Sequence, residues 1–123
     1  MVDAIRILYV EDNEIDTELL KMCVNRYKFT QPISFDIAET VEEAKEMYNT
    51  NIHSAALVDW NLPDGEGIEV VQFIRSINNE VPVFILSGAL TQKHQQKAEQ
   101  SNATAYLEKN YNKNFANYLY TFL

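Results

Sequence analysis

The chain has 123 residues, of which 46% are hydrophobic and 23% are charged, and these proportions are typical of one folded globular domain. The formal net charge is −8, and residues 1–80 carry 16 acidic and 6 basic side chains, an excess of −10. Because such a surface repels nucleic-acid phosphates, we do not expect direct binding to DNA or RNA. No apolar stretch approaches the roughly 18 residues that span a bilayer, so we expect no membrane association.

The location of the protein follows from two further features of the sequence. The first residues lack the basic flank and apolar core of a signal peptide. The single cysteine, Cys23, cannot form an internal disulfide, and its helical spacing indicates a buried core thiol. We therefore expect a cytoplasmic protein, with one domain over residues 1–123.

The first half of the chain alternates strand and helix patterns. The apolar, β-branched run over residues 5–10 predicts a first strand. The helix that follows has one apolar face, which we expect to pack on the core through Ile15, Leu19, Met22 and Cys23. Residues 33–38 alternate as a half-buried second strand. The capping-box pattern from Thr40 to Glu43 then opens a helix that directs inward Val41, Ala44 and Tyr48.

The second half repeats this alternation three times. Residues 55–58 form a short apolar run that ends on Asp59, as a buried parallel strand would. Pro63, Gly65 and Gly67 predict a loop that delays the next helix until Ile68. That helix is marked by Ile68, Val71, Ile74 and Ile77. Strands follow at 81–86 and 105–108 around a weakly amphipathic helix over 91–102, with Leu90, His94 and Ala98 at helical spacing. The last helix is marked by Phe115, Tyr118, Leu119 and Phe122.

Five strands alternating with five helices predict a parallel sheet that is covered on both faces by right-handed crossovers. The carboxyl ends of parallel strands share one edge of the sheet, where open α/β folds bind their ligands. At that edge the strands present five polar residues, Glu11, Asp12, Asp59, Ser87 and Lys109. The second strand contributes no such group, which suits a place at the margin of the sheet.

This set of side chains indicates phosphoryl chemistry. Three carboxylates at one edge raise one another's pKa unless a cation joins them, and hard oxygen ligands favour Mg²⁺ (or Mn²⁺). An ionised Asp59 can attack phosphorus, and the charge that develops needs a cation and a hydroxyl donor. Lys109 and Ser87 can supply these two groups. Neither His53 nor His94 has the surroundings of a metal ligand or catalytic group.

Four motifs in this order resemble those of the receiver domains of response regulators. They are the acidic pair Glu11-Asp12, the loop Asp59-Trp-Asn-Leu-Pro63 with Gly67 beyond it, the step Ser87-Gly88-Ala89, and the strand end Tyr-Leu-Glu-Lys109. The resemblance covers the whole chain. It implies an α/β, flavodoxin-like (βα)5 three-layer sandwich whose five-stranded parallel sheet has the order 2-1-3-4-5.

The resemblance also implies a phosphoacceptor switch of a two-component phosphorelay rather than an enzyme. Asp59 would receive a phosphoryl group from a phosphohistidine of a sensor histidine kinase or a phosphotransfer protein. Magnesium would be bound by Asp12, Asp59 and the backbone carbonyl of Asn61, with Glu11 acting through water. Lys109 would pair with the phosphoryl oxygens.

Ser87 and Tyr106 would form the switch that the resemblance implies, the aromatic ring turning inward as the hydroxyl moves. The face built from the fourth helix, fifth strand and fifth helix would then engage a downstream protein. Residues 81–123 carry 2 acidic and 4 basic side chains, so the acidic excess disappears in this region.

One departure and three alternative functions accompany this interpretation. Asn110 follows Lys109, where the family usually has proline, so the bond between them is either trans or strained. A pseudo-receiver, a binding module without the chemistry, is the main alternative. A flavodoxin-like nucleotide binder is disfavoured by the acidic pair, and an aspartate phosphatase by Asn61. The sequence fits both a receiver that acts alone and one that forms part of a longer regulator or hybrid kinase.

Overall fold

The structure, a computed structural model, describes residues 4–123. The first three residues of the predicted domain, to which the signal-peptide prediction also applies, lie outside the described part. One parallel sheet contains the strands β1 (Ile5–Val10), β2 (Ile33–Ala38), β3 (His53–Asp59), β4 (Val83–Ser87) and β5 (Ala105–Glu108). Its order is β2-β1-β3-β4-β5, which confirms the predicted order and the place of the second strand at the margin.

Within residues 4–123, four helices connect the strands and a fifth follows β5, and together they confirm the flavodoxin-like α/β sandwich. They are α1 (Glu14–Arg26), α2 (Val41–Met47), α3 (Gly67–Ile77), α4 (Gln92–Gln100) and α5 (Lys113–Tyr120). Four of the helices begin at a polar capping residue whose side chain accepts a hydrogen bond from a backbone N–H. These residues are Asn13, Thr40, Thr91 and Asn112. None of the helices within residues 4–123 is long and apolar enough to cross a bilayer.

The helices form one layer on each face of the sheet. α1 and α5 pack on one face through Leu20, Cys23, Phe115 and Leu119. α2, α3 and α4 pack on the other face through Val41, Ala44, Val71, Ile74 and Ala98. Because β1, β3 and β4 are covered on both sides, these strands need the continuous apolar sequences from which they were predicted.

The packed face predicted for α1 is wrong for three of its four residues. Ile15 is 71% exposed and Met22 is 65% exposed, and Leu19 is also exposed, whereas the predicted burial of Cys23 is confirmed. Besides Cys23, the helix buries Thr17, Leu20 and Val24. The buried face includes a threonine because its hydroxyl donates a hydrogen bond to the Asn13 carbonyl at 3.1 Å, so the polar group is satisfied.

Other helix predictions fail only at the ends of the helices. Ile77 is half exposed because it is the last residue of α3, and Val70 is buried instead of it. Leu90 precedes α4 and is exposed. α5 buries Phe115 and Leu119, but Tyr118 is partly exposed and Phe122 lies beyond the helix end. The burial of Val41, Ala44 and Tyr48 in and after α2 is as predicted.

His53, at the start of β3, contacts β2 and the segment that follows α2 through its two ring nitrogens. Its Nε2 lies 2.8 Å from the Asp36 carboxylate, and its Nδ1 accepts a hydrogen bond from the Asn49 backbone at 3.1 Å. Arg6 donates two hydrogen bonds to the same carboxylate, at 2.7 and 2.8 Å. This group therefore fastens the edge strand β2 to β1 and β3.

Candidate functional site

The loop after β3 places Asp59 at the carboxyl edge of the sheet. The Trp60 backbone N–H donates to the Leu86 carbonyl at 2.8 Å, and the Gly67 N–H donates to the Trp60 carbonyl at 2.8 Å. Between these two bonds the chain forms a short hairpin, in which residues 61–62 pair with 65–66. A Cβ atom on Gly67 would lie 2.2 Å from the Asp59 carbonyl oxygen, so this close approach requires glycine.

Three carboxylates meet at this edge, as the sequence predicts. Glu11 and Asp59 are buried and Asp12 is exposed, and one oxygen atom from each lies within 4.8 Å of the others. They line a cleft of about 420 Å³ whose walls are Glu11, Asp12, Asn13, Asp16, Asp59, Asn61, Leu62, Pro63 and Lys109. The cleft thus contains each residue of the predicted metal site, including Asn61.

Lys109 carries its ammonium group into the same cleft from the end of β5. Its Nζ lies 2.8 Å from the Glu11 carboxylate, 2.9 Å from that of Asp16 and 3.1 Å from that of Asp59. Sequence reasoning missed Asp16, because an acid in the first turn of a helix resembles an ordinary response to the helix dipole. Only the fold brings this residue to Lys109.

The electrostatics of the cleft follow from burial and from this crowding of charge. The pKa of Glu11 is raised to about 7, chiefly by burial; Lys109 opposes this rise and nearby Asp59 adds to it. Burial also opposes the charge on Lys109, but its hydrogen bonds to Glu11 and Asp16 outweigh this and raise its pKa above the ordinary value. The ammonium therefore stays charged, and the carboxylates favour a further cation.

The two predicted switch residues share one acceptor. Ser87 is buried at the end of β4, and its hydroxyl donates to the Ala89 carbonyl at 2.9 Å. Tyr106 lies on β5, and its hydroxyl donates to the same carbonyl at 3.2 Å. The conformation of the loop after β4 is therefore tied to both side chains.

Trp60, which follows Asp59 in the chain, packs against α4. Its ring is buried, and its Nε1 donates to the Glu66 carboxylate at 3.0 Å. The His94 ring stacks on it with centroids 4.1 Å apart, and the Tyr106 ring lies 5.7 Å away. Sequence reasoning could not pair His94 with Trp60, because their contact depends on how α4 is oriented on the sheet.

The segment after β5 has an ordinary backbone. No peptide bond in residues 4–123 is cis, so the bond from Lys109 to Asn110 is trans. The Lys109 backbone N–H donates to the Ser87 carbonyl at 2.8 Å, which fixes the start of the lysine side chain beside β4.

Comparison with known proteins identifies the class of this domain. Residues 7–116 match the response regulator receiver domain, and the chain belongs to this family. It is 31% identical over 103 residues to the photosynthetic apparatus regulatory protein RegA of Rhodobacter capsulatus, and these cover 84% of the chain and 53% of RegA. It is 31% identical over 100 residues to the transcriptional regulatory protein PhoP of Escherichia coli K12, covering 81% of the chain and 42% of PhoP. The chain thus spans about half or less of the length of these relatives.

Solved structures agree with the fold. The non-phosphorylated HemR receiver domain from Leptospira biflexa superposes with a TM-score of 0.81 at 26% identity, over 96% of this chain and 93% of that chain. The receiver domain of the sensor histidine kinase PA1611 from Pseudomonas aeruginosa PAO1, solved with a magnesium ion in its active site cleft, gives a TM-score of 0.80 at 19% identity, over 97% and 96% of the two chains. The family match and these structures thus agree that the chain contains a receiver domain of two-component signalling.

Proposed function

We propose that this receiver is a magnesium-dependent phosphoacceptor and that Asp59 receives the phosphoryl group. The observation that carries the proposal is the place of the Asp59 carboxylate, at the end of a buried strand, 3.1 Å from the Lys109 ammonium and within the acidic cluster. Family membership makes the protein a switch rather than a classical enzyme. The donor in this proposal is a phosphohistidine of a sensor histidine kinase or phosphotransfer protein.

The donor atoms of the cleft fit a magnesium ion. Glu11, Asp12 and Asp59 offer carboxylate oxygens within 4.8 Å of one another, and Asn61 lines the same cleft. Oxygen ligands without histidine or cysteine suit Mg²⁺, and they suit Mn²⁺ as a substitute. Asp12, Asp59 and the Asn61 carbonyl would hold the ion, with Glu11 assisting through water. The bound ion would neutralise charge on the phosphoryl oxygens.

The side chains of the chain itself account for the other requirements of the transfer. An Asp59 carboxylate oxygen forms the new P–O bond as the P–N bond of the donor breaks, and the departing imidazole takes up a proton. Lys109 donates hydrogen bonds to the phosphoryl oxygens that result. Burial of Asp59 limits the access of water to the acyl phosphate.

The output of the switch would run through Ser87 and Tyr106. If the Ser87 hydroxyl turns to the phosphoryl group, it leaves the Ala89 carbonyl that Tyr106 also uses. The loop after β4 is then free to move, and Tyr106 can change its position. This would alter the face of α4, β5 and α5, which we propose as the docking site of the downstream protein.

The exposed face of α1 suits the protein donor of the phosphoryl group. Ile15, Leu19 and Met22 form an exposed apolar stripe, and the adjacent residues Asn13 and Asp16 line the cleft. A helix of the donor that docks on this stripe would bring its phosphohistidine to Asp59. We also propose a cytoplasmic location, which is typical of receiver domains.

Fluorescence and phosphate labelling test the proposal. Trp60, the only tryptophan, adjoins Asp59 and should respond to Mg²⁺ in a saturable way, and again to beryllofluoride. Asp59→Asn should abolish acid-stable, alkali-labile phosphate incorporation. The matched control is Asp64→Asn, because Asp64 lies in the same loop but caps α2 and does not line the cleft. A folded wild-type protein that gives no response and no label would instead be a pseudo-receiver.

A further inference from the structure

Three carboxylates surround the Lys109 ammonium in this structure. Its Nζ donates hydrogen bonds to Glu11 at 2.8 Å and to Asp16 at 2.9 Å, and it forms an ion pair with Asp59 at 3.1 Å. The side chain of Lys109 is only 13% exposed, so water can contribute little to its hydrogen bonding. A phosphoryl oxygen on Asp59 would therefore compete with these carboxylates for the ammonium.

The three partners of Lys109 are not equivalent. Glu11 and Asp59 also belong to the acidic cluster that suits a divalent cation, whereas Asp16 does not. A cation at that cluster attracts the oxygens of Glu11 and Asp59 and weakens their hold on the ammonium. Asp16 is then the carboxylate that continues to bind Lys109.

The local structure fixes Asp16 in position for this contact. Its backbone N–H donates to the Asn13 side chain at 3.0 Å, which anchors the first turn of α1. A negative side chain in this turn is favoured by the helix dipole. The Asp16 side chain is 27% exposed, so its ion pair with Lys109 is only partly screened by water.

We propose that Asp16 is a positioning residue that acts as the resting partner of Lys109 and competes with the phosphoryl group for its ammonium. This inference rests on the proposed function and adds a residue to that site. Asp16 retains the ammonium in the cleft before phosphorylation. When a phosphoryl group is on Asp59, its oxygens and the Asp16 carboxylate compete for the same ammonium.

A pair of matched variants tests the competition. Asp16→Asn keeps the shape of the side chain and removes its charge, while Glu14→Gln removes the same charge from the same turn outside the cleft. At saturating Mg²⁺, titration of Trp60 fluorescence with beryllofluoride should show about fivefold tighter binding for Asp16→Asn than for wild type. Glu14→Gln should bind beryllofluoride within about twofold of wild type.

A double-mutant cycle separates action through Lys109 from simple charge repulsion. In a Lys109→Met background, Asp16→Asn should no longer tighten beryllofluoride binding, because the ammonium for which Asp16 competes is absent. Thermal unfolding in Mg²⁺ verifies that each variant is folded. If Lys109→Met does not fold, Lys109→Gln takes its place in the cycle.

Two results would overturn the role of Asp16 and leave the proposed function intact. One is that Asp16→Asn and Glu14→Gln bind beryllofluoride with equal affinity, although the wild-type protein responds to it. The other is a gain from Asp16→Asn that persists without Lys109. A wild-type protein that responds to neither Mg²⁺ nor beryllofluoride overturns the proposed function, and the role of Asp16 fails with it.

Discussion

Gly67 is the position where a single methyl group should do the most damage to the site. In Gly67→Ala the new Cβ would lie 2.2 Å from the Asp59 carbonyl oxygen and 2.9 Å from Val58 Cγ1. The first distance is about 1.2 Å short of the 3.4 Å at which ordinary van der Waals contact begins. The nearest obstacle is backbone at the end of the central strand β3, so no side-chain rotation relieves the clash.

Gly67→Ala should lower the free energy of unfolding by about 2–3 kcal/mol, as overpacking of a rigid site does. For a domain of this size that corresponds to a fall in Tm of roughly 8–15 °C. The strain bears on the residue that carries the proposed phosphoacceptor, so the fluorescence response of Trp60 to Mg²⁺ should weaken as well. Urea unfolding and thermal unfolding, followed by circular dichroism, measure the first effect.

Two other glycines provide matched controls. A Cβ on Gly88 would meet no atom within 4 Å, so Gly88→Ala should stay within about 0.5 kcal/mol of wild type. A Cβ on Gly65 would meet chiefly the end of the Glu69 side chain, which can rotate away at the loss of its hydrogen bond to the Glu66 N–H. Gly65→Ala should thus cost about 1 kcal/mol. If Gly67→Ala unfolds at the same temperature as Gly88→Ala, the approach of residue 67 to the Asp59 carbonyl does not require glycine.

Three further predictions concern the edge strand, α1 and α4. Hydrogen bonds from Arg6, and from His53 beside it, lower the pKa of Asp36 in the folded protein. The stability that this carboxylate contributes is therefore complete above its unfolded pKa of about 3.8, and it is lost as pH falls through the lower folded pKa. Asp36→Asn should therefore cost about 1 kcal/mol in urea unfolding at pH 7 and clearly less at pH 2, and an equal cost at both would contradict this. Ile15→Ala should slow phosphoryl transfer from a protein donor about threefold or more but leave labelling by acetyl phosphate unchanged, and equal slowing of both would exclude docking on α1. His94→Ala should lower the free energy of unfolding by about 1 kcal/mol and shift the emission of Trp60, and unchanged emission would argue against the stack.

The parallel sheet could be predicted because its central strands are buried on both faces, whereas the order of its strands was implied only by the resemblance to receiver domains. Each of these three strands is mainly apolar. Glu11 follows β1, Asp59 ends β3 and Ser87 ends β4, all at the edge of the sheet where the cleft forms. The backbone of parallel strands brings their ends together whatever the helices do. For this reason the acidic cluster and Lys109 were found from spacing alone.

The packed face of α1 could not be chosen in the same way. The helix has two adjoining stripes, one through Ile15 and Met22 and one through Leu20 and Val24, and both have apolar residues at helical spacing. Which stripe is buried depends on the angle at which the chain leaves β1. Thr17 weakens the hydrophobic signal of the buried stripe, although its hydroxyl is satisfied within the helix.

The role of Asp16 was also hidden from sequence reasoning. It is separated from Lys109 by 93 positions, and an acid in a first helical turn is common without any further contact. The pairing of His94 with Trp60 was hidden for a similar reason. Contacts of this kind depend on the rotation of a helix about its axis, which the spacing of a polar helix such as α4 does not determine.

The charge balance of the cleft has a consequence for folding itself. Four carboxylates and one ammonium line it, so folding gathers like charges that lie far apart in the unfolded chain. A divalent cation that binds only the folded cleft stabilises the domain by mass action, by about 2.7 kcal/mol at a hundredfold excess over its Kd. The supply of such ions would then set how much of the protein is folded and ready, before any phosphoryl donor arrives.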